Sequence, residues 1–419
     1  MQNSRLVNLL KMVALSLSII LIYSFAKSKT NRPSETSTRY DFAMGTSISA
    51  KLYDNRSKGK LDEQVILDEI KKLDCETISW RNDDSELAKL NKEYEKNCPY
   101  KLSNRLYIAI NESLNICKDS NGALDITIRP LANLWGIEDE NANDDFQIPV
   151  KSQIDKCMDL IGYEYIMING MSKTNTDGET GMSKTNADGD GTDTSKMDVN
   201  GEADISKTNV DGETGMSKTN ADGDGTDTSK MDTDDSIVVS KDNITIDLGA
   251  TGKGYALDIA AQVIEKNNVG GAMITAGGSV LVYGQKSDSK TWKVAIRDPN
   301  GTPDDYVGYI NLDLDAKGKK FISTSGCYEK YVELDGVRYH HILDSKTGFP
   351  AKSGLQSVSV ICDNGLISDG LSTACFVLGK EKSMDLLKKY NAEAIFIDDD
   401  NNIICTDNIK DDFIIEDNK

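Results

Sequence analysis

The stretch Ile246–Val280 contains the residues whose types and spacing best suit the binding of an anion. A short β-type run enters a turn with three glycines, Gly249, Gly252 and Gly254, and a helical pattern with one apolar face follows. Glycines between a strand and a helix let backbone N–H groups approach an anion, and the helix N-terminus adds partial positive charge. Lys253 adds a full positive charge at the start of that helix. Such a stretch can hold a diphosphate, but many turns of this kind only make a tight connection between a strand and a helix. Its spacing matches neither of the two standard nucleotide-binding fingerprints, so these alternatives stay open.

Two further groups of residues could act on a phosphate. Asp369 and Thr373 are four residues apart and would share one face of a helix, where a carboxylate and a hydroxyl together suit Mg²⁺. His340 and His341 are the only two histidines of the chain, and on a strand they would face opposite ways, so at most one of them enters a pocket. Each pattern is a weak signal by itself, since a lone histidine is more often structural than catalytic.

Several separated segments resemble the FAD:protein FMN transferase family, also called the ApbE family. The central turn reads D-L-G-A-T-G-K-G-Y-A-L-D from Asp247 to Asp258, and a strand that ends in A-G-G follows it. The other matching segments, in chain order, are Ile78–Asn91, Gly122–Gly136, Ile322–Glu329, Tyr339–Gly348 and Ile367–Ala374. With the insertion described below left out, the resemblance covers the chain from about Ala43 to Val377.

The resemblance implies an FAD-binding cleft lined by Met44, Trp80, Ala123, Leu124, Asp125, Asp247, Lys253 and His341. It also implies a Mg²⁺ site formed by Asp369, Thr373 and the backbone carbonyl of Ala250. Trp80 stands where relatives commonly have Tyr, so stacking is kept but the phenol oxygen is lost, and Cys327 stands where they commonly have Asp. From residue type alone, Trp80 could instead be a core aromatic and Asp125 a turn carboxylate.

The activity implied by the resemblance is a Mg²⁺-dependent transfer of FMN from FAD to a Ser or Thr hydroxyl of a target protein, with release of AMP. His341 would contact the phosphates or assist proton transfer from the hydroxyl, while Asp369 binds the metal and could itself be the base. Two other functions remain open, namely an FAD pyrophosphatase that gives FMN and AMP, and a non-catalytic extracytoplasmic flavin-binding protein. The enzyme assignment requires the glycine turn and the pair Asp369 and Thr373 to fold against each other.

The predicted fold class is α+β, because short strands and helices are mixed without a regular βαβ repeat. The resemblance implies one compact mixed α/β unit, residues 31–171 and 236–419, with the flavin cleft between two subregions. Apolar spacing predicts a strand at Ser47–Tyr53 and a helix whose buried face includes Val65 and Ile66. The eight cysteines are dispersed without metal-ligand spacing, and the sequence does not decide whether they form disulfides.

Residues 1–30 are predicted to be a signal peptide or a membrane anchor. Met12–Ala26 carries no charge and follows two basic residues, and its length is short for a bilayer-spanning helix but normal for a signal sequence. A cleavage site could end at Ala26; the body would then be secreted, whereas without cleavage it would stay attached to the membrane. Either way the body is expected outside the cytoplasm, and the alternative is a buried N-terminal helix.

Residues 172–235 are predicted to be a low-complexity acidic insertion. Ser172–Asp198 recurs at Ser206–Asp232 with a single change, and residues 172–235 carry 16 Asp and Glu against 6 Lys. A segment with so few apolar residues cannot bury enough surface to fold, so we expect it to be disordered. The net charge of the whole chain is −20, which argues against a nucleic-acid partner.

The insertion contains a sequence that is close to the family's acceptor motif. Partner proteins of the family are modified on the last residue of D-x-x-[ST]-G-A-[ST], and this chain reads D-G-E-T-G-M-S twice, ending at Ser183 and at Ser217. We therefore hypothesise that these two serines accept FMN, so that the protein flavinylates itself. The alternative is a solvated spacer in which the match is an accident of composition.

Overall fold

The structure, a computed structural model, describes residues 38–53, 61–138, 146–170, 235–286 and 289–416. All of these residues belong to one compact unit of mixed α/β structure, so the predicted fold class is confirmed. The predicted N-terminal targeting segment and almost all of the predicted insertion lie outside these ranges. Within them, none of the helices combines the length and the apolar character needed to cross a bilayer.

An antiparallel sheet of eight strands forms the centre of the unit. Its strands in spatial order are β1 (Thr38–Ala43), β2 (Thr46–Tyr53), β6 (Gly271–Ala276), β7 (Ser279–Gly284), β10 (Lys319–Gly326), β13 (Leu355–Cys362), β14 (Glu393–Asp398) and β15 (Ile403–Cys405). Alternation along the strands divides their apolar side chains between two cores, so that Phe321 faces the main core while Ile322 faces the smaller one. Both faces of the central strands are therefore covered.

Three smaller sheets surround the central one. They consist of β3 (Pro99–Lys101), β5 (Ser236–Val239) and β4 (Ile166–Asn169); of β8 (Thr291–Arg297), β9 (Tyr306–Asp313) and β16 (Phe413–Ile415); and of the hairpin β11 (Tyr331–Leu334) and β12 (Val337–His340). Strands β8, β9 and β16 supply the smaller core, where Trp292 is buried and donates its indole N–H to the Gly284 carbonyl. This sheet closes the face of the central sheet that the helices leave uncovered.

The α-helices of the described ranges are α1 (Glu63–Leu73), α2 (Glu86–Glu93), α3 (Asn104–Asp119), α4 (Arg129–Trp135), α5 (Lys151–Met158), α6 (Gly252–Lys266), α7 (Gly365–Leu378) and α8 (Lys380–Lys389). Side-chain caps fix several N-termini: Ser85, Ser103 and Asn364 accept backbone N–H groups in the first turns of α2, α3 and α7. Gly136 in the left-handed conformation (φ 61°) ends α4.

Two sequence predictions differ from the structure in detail. The run Ile244–Leu248 is not a strand; the chain is held there by side chains, because the Asn91 amide bonds both backbone groups of Ile246 and the Tyr94 hydroxyl accepts the Ile244 N–H. Val65 does not lie on the buried face of α1 but is 46% exposed, while Ile66 is buried. At Ile244–Leu248 tertiary contacts override the local pattern. Val65 simply lies off the helix face that Ile66, Ile70 and Leu73 bury.

A satellite core lies beside the main one and brings α4, α5 and the β11–β12 hairpin together. Its buried members are Leu131, Trp135, Ile137, Ile154, Val332 and Leu343. The Trp135 ring stacks on Tyr339 at 5.9 Å between centroids and donates its indole N–H to the Gly348 carbonyl. This cluster forms the second subregion of the unit, and the cleft described next is lined from both subregions.

Candidate active site

A cleft of about 360 Å³ gathers the residues that the sequence singled out. Its lining includes Met44, Trp80, Ala123, Leu124, Asp125, Asp247, Ala250, Lys253, His341 and Thr373, together with the backbone of the glycine turn. Asp369 does not line the cleft itself but contacts Lys253, which does. The structure thus brings eleven predicted positions to one place, while their individual roles stay predictions.

The glycine turn and α7 meet through Asp369, which is only 2% exposed. The Gly254 N–H donates to Asp369 Oδ2 at 3.0 Å, and the Lys253 ammonium lies 3.4 Å from Oδ1. The Ser279 hydroxyl donates to the same oxygen at 3.4 Å. The N–H groups at a helix start have no acceptor within the helix, so a carboxylate of α7 here satisfies the start of α6. The expected contact between the turn and Asp369 is therefore present.

Thr373, one turn beyond Asp369 on α7, brings hydroxyl oxygens to the same end of the cleft. Its Oγ1 lies 3.1 Å from Ser325 Oγ, which is 2.8 Å from the Ser372 hydroxyl. The set of one carboxylate, neighbouring hydroxyls and the Ala250 carbonyl consists of hard oxygen donors, as Mg²⁺ prefers. Within the described ranges, no group of three or more His, Cys, Asp or Glu side chains could hold a metal ion.

His341 lies in the cleft and His340 does not. The His341 ring Nδ1 lies 3.2 Å from the Lys330 carbonyl, and because a carbonyl only accepts, Nδ1 carries the hydrogen and Nε2 is left as a base. Burial lowers the pKa of His341 to about 4, against the opposing charge of Glu138, so the ring is neutral near pH 7. His340 is buried against Phe376, with Nε2 3.0 Å from the Ala351 carbonyl.

Trp80 lies in the cleft between two guanidinium groups. The Cζ atoms of Arg129 and Arg81 are 3.1 Å and 4.0 Å from the centroid of the indole ring. Two guanidinium groups this close to one centroid cannot share a face without clashing, so they lie on opposite faces. The prediction that Trp80 stacks on a flavin therefore requires one of the two guanidinium groups to move aside.

The carboxylates of Asp125 and Asp247 both have partners inside the protein. Asp125 accepts from the Thr127 N–H at 2.8 Å, from the Thr127 hydroxyl at 2.6 Å and from the Tyr163 N–H at 3.2 Å, and burial raises its pKa. Asp247 accepts from the Gly249 N–H at 2.7 Å and pairs with Arg129 at 3.3 Å; burial raises its pKa, and the Arg129 charge opposes that shift. The alternative interpretation of Asp125 as a turn carboxylate thus describes its contacts, while FAD contact by either residue stays a prediction.

Sequence reasoning missed a charged cluster on the cleft wall. Glu138 lies 3.1 Å from Lys330, 3.6 Å from Arg129 and 3.8 Å from Arg81. Arg129 could have been found, because it lies inside the matching segment Gly122–Gly136, and Lys330 directly follows another matching segment. No sequence signal marks Glu138, which becomes visible as a site residue only when three distant segments fold around it.

Comparison with known proteins identifies the relatives of the chain. A profile of the ApbE family matches residues 44–203 and 198–396. The FAD:protein FMN transferase of Haemophilus influenzae is 26% identical over 368 residues, which cover 87% of this chain and 85% of that protein. The protein of the same name from Treponema pallidum is 37% identical over 175 residues, which are 40% of this chain and 47% of that protein.

Solved structures give the same result for the fold. The ApbE protein of Thermotoga maritima aligns with a TM-score of 0.64 at 26% identity and covers 89% of this chain and 98% of its own. Flavin Transferase ApbE from Vibrio cholerae aligns with a TM-score of 0.62 at 21% identity, covering 90% of this chain and 99% of its own, and at that identity it shows the fold alone. Since the family profile spans most of the sequence and the fold agrees, this chain belongs to the ApbE family.

Proposed function

We propose that the chain is an FAD:protein FMN transferase that moves FMN from FAD to a Ser or Thr hydroxyl of a target protein, with Mg²⁺ and with release of AMP. One observation carries the proposal. Lys253 of the glycine turn and Asp369 of α7, far apart in the sequence, meet at the end of a cleft that also holds Trp80 and His341. The name that curated relatives share, FAD:protein FMN transferase, supports the same activity.

The reaction needs the diphosphate to be held and its charge balanced. The Lys253 ammonium and the N-terminus of α6 supply positive charge at the turn. Asp369, Thr373 and the Ala250 carbonyl would hold Mg²⁺, which when bound neutralises charge that develops on the phosphate oxygens. Apolar and small residues of the cleft, such as Ala123 and Leu124, leave room for the flavin ring and exclude water from it.

A base must take the proton of the incoming hydroxyl. The hydroxyl oxygen bonds to the phosphorus of the FMN half, the bond from that phosphorus to the bridging oxygen breaks, and AMP leaves with the electron pair. His341 suits the role of the base, because its ring is neutral and Nε2 does not take part in the hydrogen bond between Nδ1 and the Lys330 carbonyl. Asp369 suits it less, since its carboxylate is already paired with Lys253 and the Gly254 N–H.

The decisive experiment incubates the purified protein with FAD, Mg²⁺ and a peptide that contains D-G-x-T-G-A-T. Flavinylated peptide together with AMP is the expected result. Free FMN with AMP and an unmodified peptide would instead identify a pyrophosphatase, and unchanged FAD would identify a flavin-binding protein. Either of the last two outcomes overturns the proposal.

Three finer parts of the proposal rest on sequence alone. The target is expected to carry D-x-x-[ST]-G-A-[ST], and Ser183 and Ser217, which lie outside the described residues, are expected to accept FMN, so that the protein carries its own flavin. The body is expected to act outside the cytoplasm, attached to the membrane through residues 1–30 or secreted. Peptide mass spectrometry after incubation with FAD and Mg²⁺ tests the two serines, and an absent FMN mass addition on both peptides removes self-flavinylation.

A further inference from the structure

Glu138 places a negative charge on the wall of a cleft that, on the proposed function, must bind an anionic dinucleotide. Its side chain is 27% exposed and follows the left-handed turn that ends α4. A carboxylate near a diphosphate weakens binding by like-charge repulsion, so its place there is costly unless it organises other charges. The contacts of Glu138 show which charges these are.

Three cations from three separate segments converge on this carboxylate. Lys330, just before β11, lies 3.1 Å from Oε1, while Arg129 at the start of α4 and Arg81 lie 3.6 Å and 3.8 Å from Oε2. Burial alone would raise the pKa of Glu138, but the charges of its cationic partners, above all Lys330, outweigh that effect and lower the pKa. The carboxylate is therefore ionised at neutral pH and acts as the common counter-ion of the cluster.

We propose that Glu138 is a positioning residue for FMN transfer, which holds Arg81 and Arg129 against Trp80 at the flavin end of the cleft and holds Lys330, whose carbonyl orients His341. This inference rests on the proposed function. In this role Glu138 acts through the residues that it pairs with rather than on the reacting atoms.

At the flavin end, the two guanidinium groups are not held equally. Arg129 pairs with Asp247 as well as with Glu138, and its side chain is 11% exposed. Arg81 is 45% exposed and pairs with Glu138 at the longer distance of 3.8 Å. Arg81 is therefore the guanidinium that moves when a flavin stacks on Trp80, and Glu138 keeps it within reach of the cleft.

At the other end, Glu138 acts on His341 through Lys330. The Lys330 carbonyl accepts from the His341 backbone N–H at 3.0 Å and from its ring Nδ1 at 3.2 Å. The charged groups that face the ring are Glu138, which favours its protonated form, and Lys330, which disfavours it; the neighbouring His340 has a weaker effect of the same sign as Lys330. Removing Glu138 or Lys330 should therefore shift the His341 titration in opposite directions.

The test uses the fact that the chain has only two histidines. Histidine NMR spectra of the full-length protein give two titrating signals, which the variants His340→Gln and His341→Gln assign. We expect Glu138→Gln to move the His341 midpoint to lower pH and Lys330→Met to move it to higher pH. A purely structural role would not produce two shifts of opposite sign.

Kinetics with FAD, Mg²⁺ and the acceptor peptide complete the test. We expect Glu138→Gln to lower kcat at least about tenfold, with the acid limb of kcat/KM moved in the same direction as the NMR midpoint. Glu265→Gln and Lys319→Met are matched controls, because that pair is joined at 2.8 Å on the surface away from the cleft. His341 midpoints that do not change in the two cleft variants, or that shift in the same direction, would overturn the inference. A wild-type protein that transfers no FMN would instead overturn the proposed function, and the NMR result alone would then decide the inference.

Discussion

Gly254 of α6 and Gly365 of α7 lie in direct backbone contact. A Cβ atom on Gly254 would be 1.9 Å from the Gly365 carbonyl oxygen, and a Cβ on Gly365 would be 2.2 Å from the Gly254 carbonyl oxygen. Such distances leave no room for any side chain, so the two helices can approach only where both residues are glycine. This approach brings Asp369, one turn further along α7, to the start of α6, where it contacts Lys253 of the cleft lining.

The first prediction concerns this contact. Gly254→Ala should force the helices apart, because the obstructing atom belongs to the backbone and cannot rotate away. We expect a loss of unfolding free energy of about 1–3 kcal/mol or more, measured by denaturant unfolding, and a loss of FMN transfer as Asp369 is displaced. Gly252→Ala is the control for stability, since its Cβ would meet only the flexible end of Ile78 at 3.1 Å. Equal stability of the two variants would contradict the prediction.

The contact also shows what the sequence could and could not predict. The glycines of the central turn were recognisable, and so were the helix that begins around Lys253 and the four-residue spacing of Asp369 and Thr373. Each of these features depends on residues that are close together in the sequence, so it can be recognised before the fold is known. The place of Gly365 could not be predicted, because nothing local shows that one glycine will pack against another more than 100 residues away.

The charged cluster shows the same limit. Trp80 was predicted to stack on a flavin, but its two faces are covered by Arg81 and Arg129, one of which is its sequence neighbour and the other not. Glu138 has no motif of its own and acquires its partners only in the folded chain. Long-range ion pairs of this kind leave no periodic signal, so sequence reasoning found residues that line the cleft better than the residues that hold them in place.

The second prediction concerns the metal. Asp369→Asn keeps the size of the side chain and can still accept the Gly254 N–H, but it removes the negative charge that Mg²⁺ needs. We expect transfer activity to fall at least about 100-fold and the stabilisation of the protein by Mg²⁺ in thermal melts to disappear. Removing Mg²⁺ from the wild type with a chelator should have the same effect on activity.

Asp258→Asn is the matched control for the metal prediction. Asp258 caps the first turn of α7 from α6, accepting the Gly365 and Leu366 N–H groups at 2.8 Å each, and it does not line the cleft. We expect this variant to keep its response to Mg²⁺ even if it is less stable. A Mg²⁺ response that survives in Asp369→Asn, or that vanishes in both variants alike, would show that Asp369 does not hold the metal.

The third prediction separates flavin binding from phosphate binding. Trp80→Ala should weaken the affinity for FAD by about 10-fold to 100-fold, because ring stacking contributes about 1–3 kcal/mol. Binding of ADP, which has the diphosphate but no flavin, should change little. Quenching of flavin fluorescence measures the first affinity and calorimetry the second. An equal loss of affinity for both ligands would mean that Trp80 supports the whole cleft rather than the flavin ring.

The last prediction concerns pH and follows from the burial of His341. Its pKa lies near 4 in the folded protein, against an ordinary value of 6.5, so between these two pH values the unfolded chain binds the proton more tightly. The contribution of the neutral ring to stability is complete above pH 6.5 and is lost as the pH falls towards 4, by about 3 kcal/mol at most. In His341→Gln this contribution is absent, so its unfolding free energy should fall less over the same range. Carboxyl groups remote from His341 titrate alike in both proteins, so their effect cancels when the two denaturation curves are subtracted; Glu138, which faces the ring, is the exception. Parallel curves for wild type and His341→Gln between pH 6.5 and 4 would show that His341 is not held neutral in the cleft, and its assignment as the base would then fail.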